Sequence, residues 1–163
     1  METTVSTAQT VKLQFDMQTR LFNNVLEGIT EPQSKTRASE TVNHVKWLAG
    51  HLTATRYGFK DMAGIENVPA WTEMFSHGNG INPEANYPDI DTIKAAWNNV
   101  SGQLSNALGN LPEEALDGEG SQTPIGDNSL RGFLAFMMHH EAYHLGQLGI
   151  LRKYIGHEAM KYD

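Results

Sequence analysis

Four segments of the chain place apolar residues at intervals of three or four positions, which is the pattern of a helix with one buried face. They predict helices from about 4 to 28, from about 39 to 63, from Asp89 or Asp91 to about Leu108, and from Asn128 or Ser129 to Gly156. No convincing strand pattern is present, so we predict an all-α fold, a four-helix bundle of antiparallel helices with long loop connections. The expected buried faces are Ala8, Val11, Phe15, Gln18, Phe22, Val25 and Ile29; Val45, Leu48, Leu52, Thr55, Phe59 and Met62; Ile93, Trp97, Val100, Leu104 and Leu108; and Phe133, Met137, His140, His144, Leu148, Leu151 and Ile155.

The connections between these helices differ in length. Gly28 and Pro32 end the first helix, because proline cannot continue one. Residues 64–90 mix Gly, Pro and Asn with scattered large apolar side chains, and a loop of this length is often a lid or a binding segment. The alternative is an ordered crossover whose aromatic residues cover one end of the core. A connection this long also suggests that the helices do not follow a simple up-down-up-down order.

Composition narrows the classes of protein. The 163 residues suit a single domain, 1–163, and the net charge of −7 without a Lys/Arg run argues against nucleic-acid binding. The chain has no cysteine, which excludes disulfides, thiolate metal sites and a cysteine nucleophile. Neither a signal peptide nor an apolar run long enough for a membrane span is evident. We therefore expect a cytoplasmic protein without membrane or nucleic-acid partners.

Candidate chemistry is concentrated in the last predicted helix. His140 and His144 are four residues apart, so their imidazoles lie one above the other on the same helical face. The rest of that face is apolar, which places the pair toward the bundle interior. Two neutral imidazoles in this arrangement can bind one Zn²⁺ or Ni²⁺ ion. The alternative is a hydrogen-bonded pair of core histidines without a metal.

A third histidine would favour the metal. His51 lies at the margin of the apolar stripe of the second helix, and His44, two turns earlier on nearly the same face, is its rival. Three nitrogen ligands leave one coordination position open for water or substrate, as in catalytic zinc centres. His77 in the long loop is a weaker candidate for a fourth ligand. We expect His139 to pack at a helix boundary or to face solvent, and His157 to be exposed.

The pair also forms the pattern His140-Glu141-x-x-His144, which in metalloproteases supplies two zinc ligands and a general base. We disfavour that interpretation, because the motif lies near the end of the chain with no strand pattern before it to form a cleft. Helical rotation instead turns Glu141 and Tyr143 away from the ligand face, and we expect both to serve another surface. No catalytic residue is assigned.

Two strings of residues resemble motifs of the DinB/YfiT-like superfamily. His140-Glu141-Ala142-Tyr143-His144-Leu145-Gly146-Gln147-Leu148, followed by Leu151-Arg152, is similar to its last-helix motif, and Trp47-Leu48-Ala49-Gly50-His51-Leu52 is similar to its Trp-x-x-x-His motif. The resemblance covers essentially the whole chain. It implies a four-helix bundle with a divalent metal held by His51, His140 and His144, and so favours His51 over His44.

The resemblance also implies a function. Characterised members include thiol S-transferases that use bacillithiol or other low-molecular-weight thiols, and a mycothiol-dependent maleylpyruvate isomerase. We therefore expect a metal-dependent thiol S-transferase with a small-molecule substrate, the thiol coming from a cofactor. The alternatives are a metal-dependent hydrolase and a non-catalytic metal-binding dimeric module, and members commonly form homodimers. Gln147, three residues after His144, would either orient a ligand or bound water or serve as a packing amide.

Overall fold

The computed structural model describes residues 6–163, and the all-α prediction is confirmed for them. The predicted start of the first helix near Thr4 lies outside the described residues. Within residues 6–163, every helix is too short or too polar to span a bilayer. The elements are α1 (Thr7–Leu26), α2 (Glu31–Ser34), α3 (Val45–Tyr57), α4 (Lys60–Ala63), α5 (Ile90–Gly109) and α6 (Leu130–Tyr154), with 3-10 turns at Ala70–Phe75 and Glu113–Asp117.

The four long helices α1, α3, α5 and α6 pack as a bundle in which α1 and α3 each contact both α5 and α6. The direction of α1 relative to α6 follows from two contacts. Gln18, in the middle of α1, donates to the carbonyl of Met138 in α6. Arg152, at the end of α6, donates to the carbonyl of Val25 at the end of α1. These two neighbours therefore run parallel.

The neighbours α3 and α5 also run parallel. Glu31 binds Lys46 at the start of α3 and accepts from the amide of Ile90 at the start of α5. Further along both helices, Arg56 donates to the hydroxyl of Ser101. The prediction of antiparallel helices is thus wrong for two neighbouring pairs, because the crossover after α3 returns the chain to the same end of the bundle. The expectation that the order is not simply up-down-up-down agrees with this arrangement.

Capping residues decide where the helices begin. The side chains of Asp89 and Ser129 each accept a backbone N–H three residues later, as the predicted starts require. The second predicted helix begins at Val45 rather than near residue 39, because the His44 side chain caps it by accepting from the amide of Trp47. Pro32 lies in the first turn of α2, where its missing N–H is not needed.

Other boundaries also differ from the prediction. The second predicted helix is interrupted after Tyr57 by Gly58 and Phe59, and α4 follows as a separate turn. The last helix ends at Tyr154 instead of Gly156, which has a φ of +94°.

The predicted buried faces of α1 and α5 are confirmed residue by residue. The buried face of α6 is rotated from the predicted one. Glu141 and Leu145 are buried, whereas His140 and His144 are half-buried at the margin of the face. The prediction was wrong here because it placed a charged residue outside and its histidine neighbours inside. The buried residues of α6 are Gly132, Leu134, Met137, Glu141, Leu145, Leu148, Leu151 and Arg152.

The crossover between α4 and α5 is ordered against the bundle. Phe75 is fully buried in the core, and Trp71, Met74 and Tyr87 pack against it while partly exposed. This arrangement matches the interpretation of residues 64–90 as a crossover whose aromatic residues cover one end of the core. The 3-10 turn Ala70–Phe75 packs on α3, which brings the crossover beside the candidate site.

Candidate metal centre

Three histidines from two helices converge at one point. His51 comes from α3, His140 and His144 come from α6, and one ring nitrogen of each lies within 4.8 Å of the others. The Nε2 atoms of His51 and His140 are 3.1 Å apart. Two nitrogens bound tetrahedrally to one zinc ion at its usual bond length are about 3.3 Å apart. The spacing of this first pair therefore fits a shared metal ion.

Hydrogen bonds fix the tautomers of two of these rings. The Nδ1–H of His51 donates to the backbone carbonyl of Phe75 at 2.7 Å. The Nδ1 of His144 lies 2.6 Å from Oε1 of Gln147, an oxygen that can only accept, so this nitrogen also carries the proton. Each ring is left with an unprotonated Nε2, the atom a metal requires.

His140 is less completely bonded. Its Nδ1 is buried and has no hydrogen-bond partner within residues 6–163. Because Nε2 of His51 can only accept, Nε2 of His140 is the donor across the 3.1 Å contact when no metal is bound. Without a metal, that contact is the one hydrogen bond between the three imidazoles among the described residues. The lone pairs of His51 and His144 thus form a donor set that suits a borderline cation such as Zn²⁺ or Ni²⁺.

The environment keeps all three rings neutral at pH 7. Burial, together with the neighbouring His144 and His51, lowers the pKa of His140 to about 3. Burial also lowers the pKa of His51, against the opposing effect of the Phe75 carbonyl. It lowers that of His144 in the same way, against the opposing effect of Gln147. Neutral imidazoles bind a cation without first losing a proton.

The residues of α3 around His51 explain how its ring is held. Trp47, one turn earlier, stacks on the His51 imidazole with an interplanar angle of 12° and ring centroids 5.0 Å apart. A Cβ added at Gly50 would lie 2.3 Å from the ring of Phe75. Only glycine therefore lets Phe75 approach closely enough for its carbonyl to reach His51.

The remaining histidines lie outside this cluster. His44 caps α3, so it is not the third member of the cluster. His139 is exposed as expected, and His77 is exposed near the site without joining the cluster. His157 was expected to be exposed but is half-buried, with Nε2 3.1 Å from Oε1 of Gln33.

The position of Glu141 differs most clearly from the one predicted from the sequence. Its side chain is completely buried and forms an ion pair with the equally buried Arg56, with Arg56 Nε 2.8 Å from Oε1. It therefore does not serve another surface, and it is not available as a general base beside the histidines. Tyr143 is exposed as expected, with its ring centroid 5.1 Å from that of His144.

Arg56 is a residue that the sequence analysis missed. Its guanidinium donates to both carboxylate oxygens of Glu141 and also to Thr19, Ser101 and the carbonyl of Phe15. It also lies 3.7 Å from the centroid of the Trp97 ring. The signal was a lone arginine among the apolar positions of its helix.

Two cavities open beside the histidine cluster. The first, here the Tyr57 cavity, has a volume of about 670 Å³ and lies between α3, the crossover and α6. The second, here the Tyr143 cavity, has a volume of about 530 Å³ and lies on the side of His144. His51 and His140 line both. An ion at the cluster would thus be accessible to a small molecule, and no fourth protein ligand closes the site among the described residues.

The helical fold and the three converging histidines agree with what the family resemblance implied. The sequence-family model of the DinB superfamily matches residues 14–148. The chain therefore belongs to the DinB superfamily. The solved structure of a conserved protein from Enterococcus faecalis is similar, with a TM-score of 0.68 and 17% identity over 92% of this chain and 97% of that one. At that identity the similarity shows the fold alone. No curated protein matches the chain.

Proposed function

We propose that this DinB-superfamily protein binds a divalent transition metal, Zn²⁺ or Ni²⁺, through His51, His140 and His144 and acts as a thiol S-transferase. The observation that carries the proposal is the pair of fixed tautomers. Phe75 and Gln147 each occupy one nitrogen of a histidine and direct the other nitrogen to a common point. A structural core pair would not need two rings from different helices held in this way beside open cavities.

The proposed reaction joins a low-molecular-weight thiol to an electrophile. The thiol sulfur forms a bond to an electrophilic carbon, the leaving group departs with its bonding electrons, and the thiol proton passes to solvent. A metal ion bound at the cluster would lower the pKa of the thiol, keeping it as the nucleophilic anion at neutral pH. The chain has no cysteine, so the sulfur must come from a separate molecule.

Metal-assisted hydrolysis is the second candidate, because Glu73 lines the Tyr57 cavity and is an exposed carboxylate. We rank it below thiol transfer, since Glu141 of the His-Glu-x-x-His pattern is paired with Arg56 and cannot activate water. A non-catalytic module fits less well with a cluster that opens onto cavities. A homodimer, a cytoplasmic location, a single domain over 1–163 and the lack of nucleic-acid or membrane partners stay predictions from the sequence.

Metal analysis of protein purified without an affinity tag tests the proposal. We expect about one equivalent of a transition metal, or uptake of one equivalent of added Zn²⁺ with a rise in melting temperature. His51→Ala should lower the metal content below about 0.2 equivalents per chain. His139→Ala is the matched control, since it removes an exposed histidine from α6 and should leave metal content unchanged. A wild-type protein that neither contains nor takes up metal would contradict the proposal.

The reaction needs a separate test. The metal-loaded protein is incubated with a panel of thiols and electrophiles, and loss of free thiol is measured beside a panel of hydrolysable esters and amides. Thiol transfer that disappears in His51→Ala supports the proposal. Ester or amide hydrolysis without thiol transfer would support the second candidate instead.

A further inference from the structure

We propose that a third cavity, here the Lys46 cavity, binds a phosphate-like oxyanion at a site separate from the histidine cluster. It lies between the start of α3 and residues 81–87 of the crossover and has a volume of about 200 Å³. None of its lining residues lines the Tyr57 or the Tyr143 cavity. Binding here needs neither a metal nor a thiol, so it is independent of the proposed function.

Positive charge predominates in the walls of this cavity. Lys35 and Lys46 line it, whereas no carboxylate does. Both lysines bind the single carboxylate of Glu31, which balances only one of the two ammonium groups. Asp89, the other carboxylate near Lys46, is engaged as the cap of α5. A local cationic cavity in a chain with a net charge of −7 is suited to an anion.

His44 adds a hydrogen-bond donor that has no partner. Its ring is 6% exposed and lines the cavity, and its Nδ1 accepts from the amide of Trp47. Burial and the charges of Arg37, Lys46 and Lys35 lower the pKa of this ring to about 4, so it is neutral at pH 7. A neutral imidazole that accepts through Nδ1 carries its proton on Nε2. That Nε2–H makes no hydrogen bond among the described residues, yet the atom keeps access to solvent.

The number of donors favours a tetrahedral oxyanion over a carboxylate. The two ammonium groups, the imidazole of His44 and the side-chain amides of Asn82 and Asn86 all line this small space. Phosphate offers several acceptor oxygens to these donors, and lysine binds phosphate as a compact point charge. The volume of about 200 Å³ is below the range of about 300–1,000 Å³ that is typical of sites for whole ligands, so it suits a single ion or group.

The oxyanion can come from two sources. Asn43 and Gly80, which precede His44 and Ile81 in the chain, line the Tyr143 cavity, so the two cavities are neighbours. The Lys46 cavity therefore fits either free phosphate or the phosphate group of a molecule that extends toward the histidine cluster. Both sources present the same chemistry to the two lysines.

Calorimetric titration of the purified protein with inorganic phosphate, at constant ionic strength, tests the site. We expect saturable binding to one site per chain, and acetate should bind at least about tenfold more weakly. Glycerol 1-phosphate should bind more tightly than phosphate if the source is a larger molecule, and equally or more weakly if the source is the free ion. No saturable binding of phosphate up to about 10 mM, or equally tight binding of acetate, would overturn the inference.

Variants test whether the ion lies in the Lys46 cavity. Lys35→Met removes an exposed lysine that lines it and should weaken phosphate binding about five- to tenfold. Lys46→Met removes the buried lysine and should weaken binding at least about tenfold, and Lys35→Met keeps the test valid if Lys46→Met folds poorly. Lys153→Met, which removes an exposed lysine of α6, is the matched control and should change the affinity less than about twofold. Equal losses in Lys35→Met and Lys153→Met would show unspecific attraction and overturn the assignment.

The histidine cluster requires a control of its own, because a metal ion bound there could itself bind phosphate. The titration is therefore repeated with His51→Ala, which removes one proposed metal ligand. Phosphate should bind this variant within about twofold of the wild type, since the Lys46 cavity is unchanged. Loss of binding in His51→Ala but not in Lys35→Met would place the ion at the histidine cluster and overturn the inference. The proposed function is judged separately, by metal content and thiol transfer.

Discussion

Glu141 and the histidines beside it on α6 show two different ways of burying polar groups. The carboxylate of Glu141 is fully buried and paired with a guanidinium that also bonds residues of α1 and α5. On the adjoining face, three imidazoles share one hydrogen bond between them, and Nδ1 of His140 has no partner in the part of the chain that the structure describes. The hydrogen bonds of the Glu141 carboxylate are complete without a ligand, whereas those of the three histidines are not.

This difference separates residues that position helices from residues that we propose to bind a metal. A buried charge that is fully paired fixes the packing around it, because removing either partner leaves the other uncompensated. Neutral groups with lowered pKa values that face a cavity are typical of a functional site. Charge and burial alone would have ranked Glu141 as the more reactive group, whereas its hydrogen bonds show the opposite.

The largest effect should come from breaking the ion pair. Glu141→Gln leaves Arg56 buried without its counter-charge, and we expect the free energy of unfolding to fall by about 3–5 kcal/mol. Urea denaturation of metal-free protein measures this. The comparison is His140→Ala, one residue away, which removes a half-buried ring and should change stability by less than about 1 kcal/mol without metal. Equal losses in the two variants would contradict the division of roles.

The close approach of Phe75 to α3 can be broken next. Gly50→Ala places a Cβ 2.3 Å from the Phe75 ring, so the crossover must shift, and we expect a loss of about 1–3 kcal/mol in unfolding free energy. Zinc affinity should fall as well, because the carbonyl that orients His51 moves with the ring. Gly102→Ala is the matched control in α5, where a Cβ meets nothing within 4 Å, and it should stabilise by about 0.5–1 kcal/mol. A neutral Gly50→Ala would show that the contact is not required.

Gln147 tests whether hydrogen bonds orient the histidines for metal binding. Gln147→Leu removes the acceptor that orients His144, and zinc affinity should fall about tenfold. Competition with a chromophoric chelator measures the affinity, and thermal unfolding of the metal-free protein should change little. Gln103→Leu, on α5, is the control and should leave zinc affinity unchanged. If both variants bind zinc as wild type does, Gln147 is only a packing amide.

The smallest expected effect concerns His44, a buried histidine whose hydrogen bond to the Trp47 amide needs no metal. Burial, together with the charges of Arg37 and Lys46, lowers its pKa from an ordinary 6.5 to about 4. The unfolded chain therefore binds more protons between these values, and the free energy of unfolding falls as the pH falls from about 6.5 to about 4. His44→Asn keeps a capping acceptor that does not titrate, so it should lose less stability between pH 7 and pH 5. Identical losses in thermal unfolding would exclude this role.

Periodicity was sufficient for the parts of the fold in which one face of a helix is buried. The stripes of α1 and α5 are correct because no charged residue is buried in either helix. The stripe of α6 is not, since Glu141 is stabilised inside by Arg56, a partner 85 positions away that local sequence cannot reveal. The late start of α3 likewise depends on a histidine acting as a cap, although serine, threonine, asparagine and aspartate are the usual caps.

The candidate site was predictable in part. The spacing of His140 and His144 gave the helical pair, and the family resemblance gave His51, which the structure brings to the same point. Neither source indicated the Phe75 carbonyl, because a backbone acceptor has no sequence signature. The role of Gly50 depends on how the crossover lies on α3, which local patterns do not contain.

At the proposed metal site, the hydrogen bond from His51 to Phe75 would link ligand size to metal retention. The same side chain of Phe75 lines the Tyr57 cavity, and its backbone carbonyl orients the His51 ring. A substrate too large for the cavity can enter only if the crossover moves outward, and that movement takes the carbonyl away from His51. Bulky ligands and the metal should then oppose each other's binding, whereas ligands that fit should strengthen it. The crossover would thereby set an upper limit on substrate size through thermodynamic coupling as well as through steric exclusion.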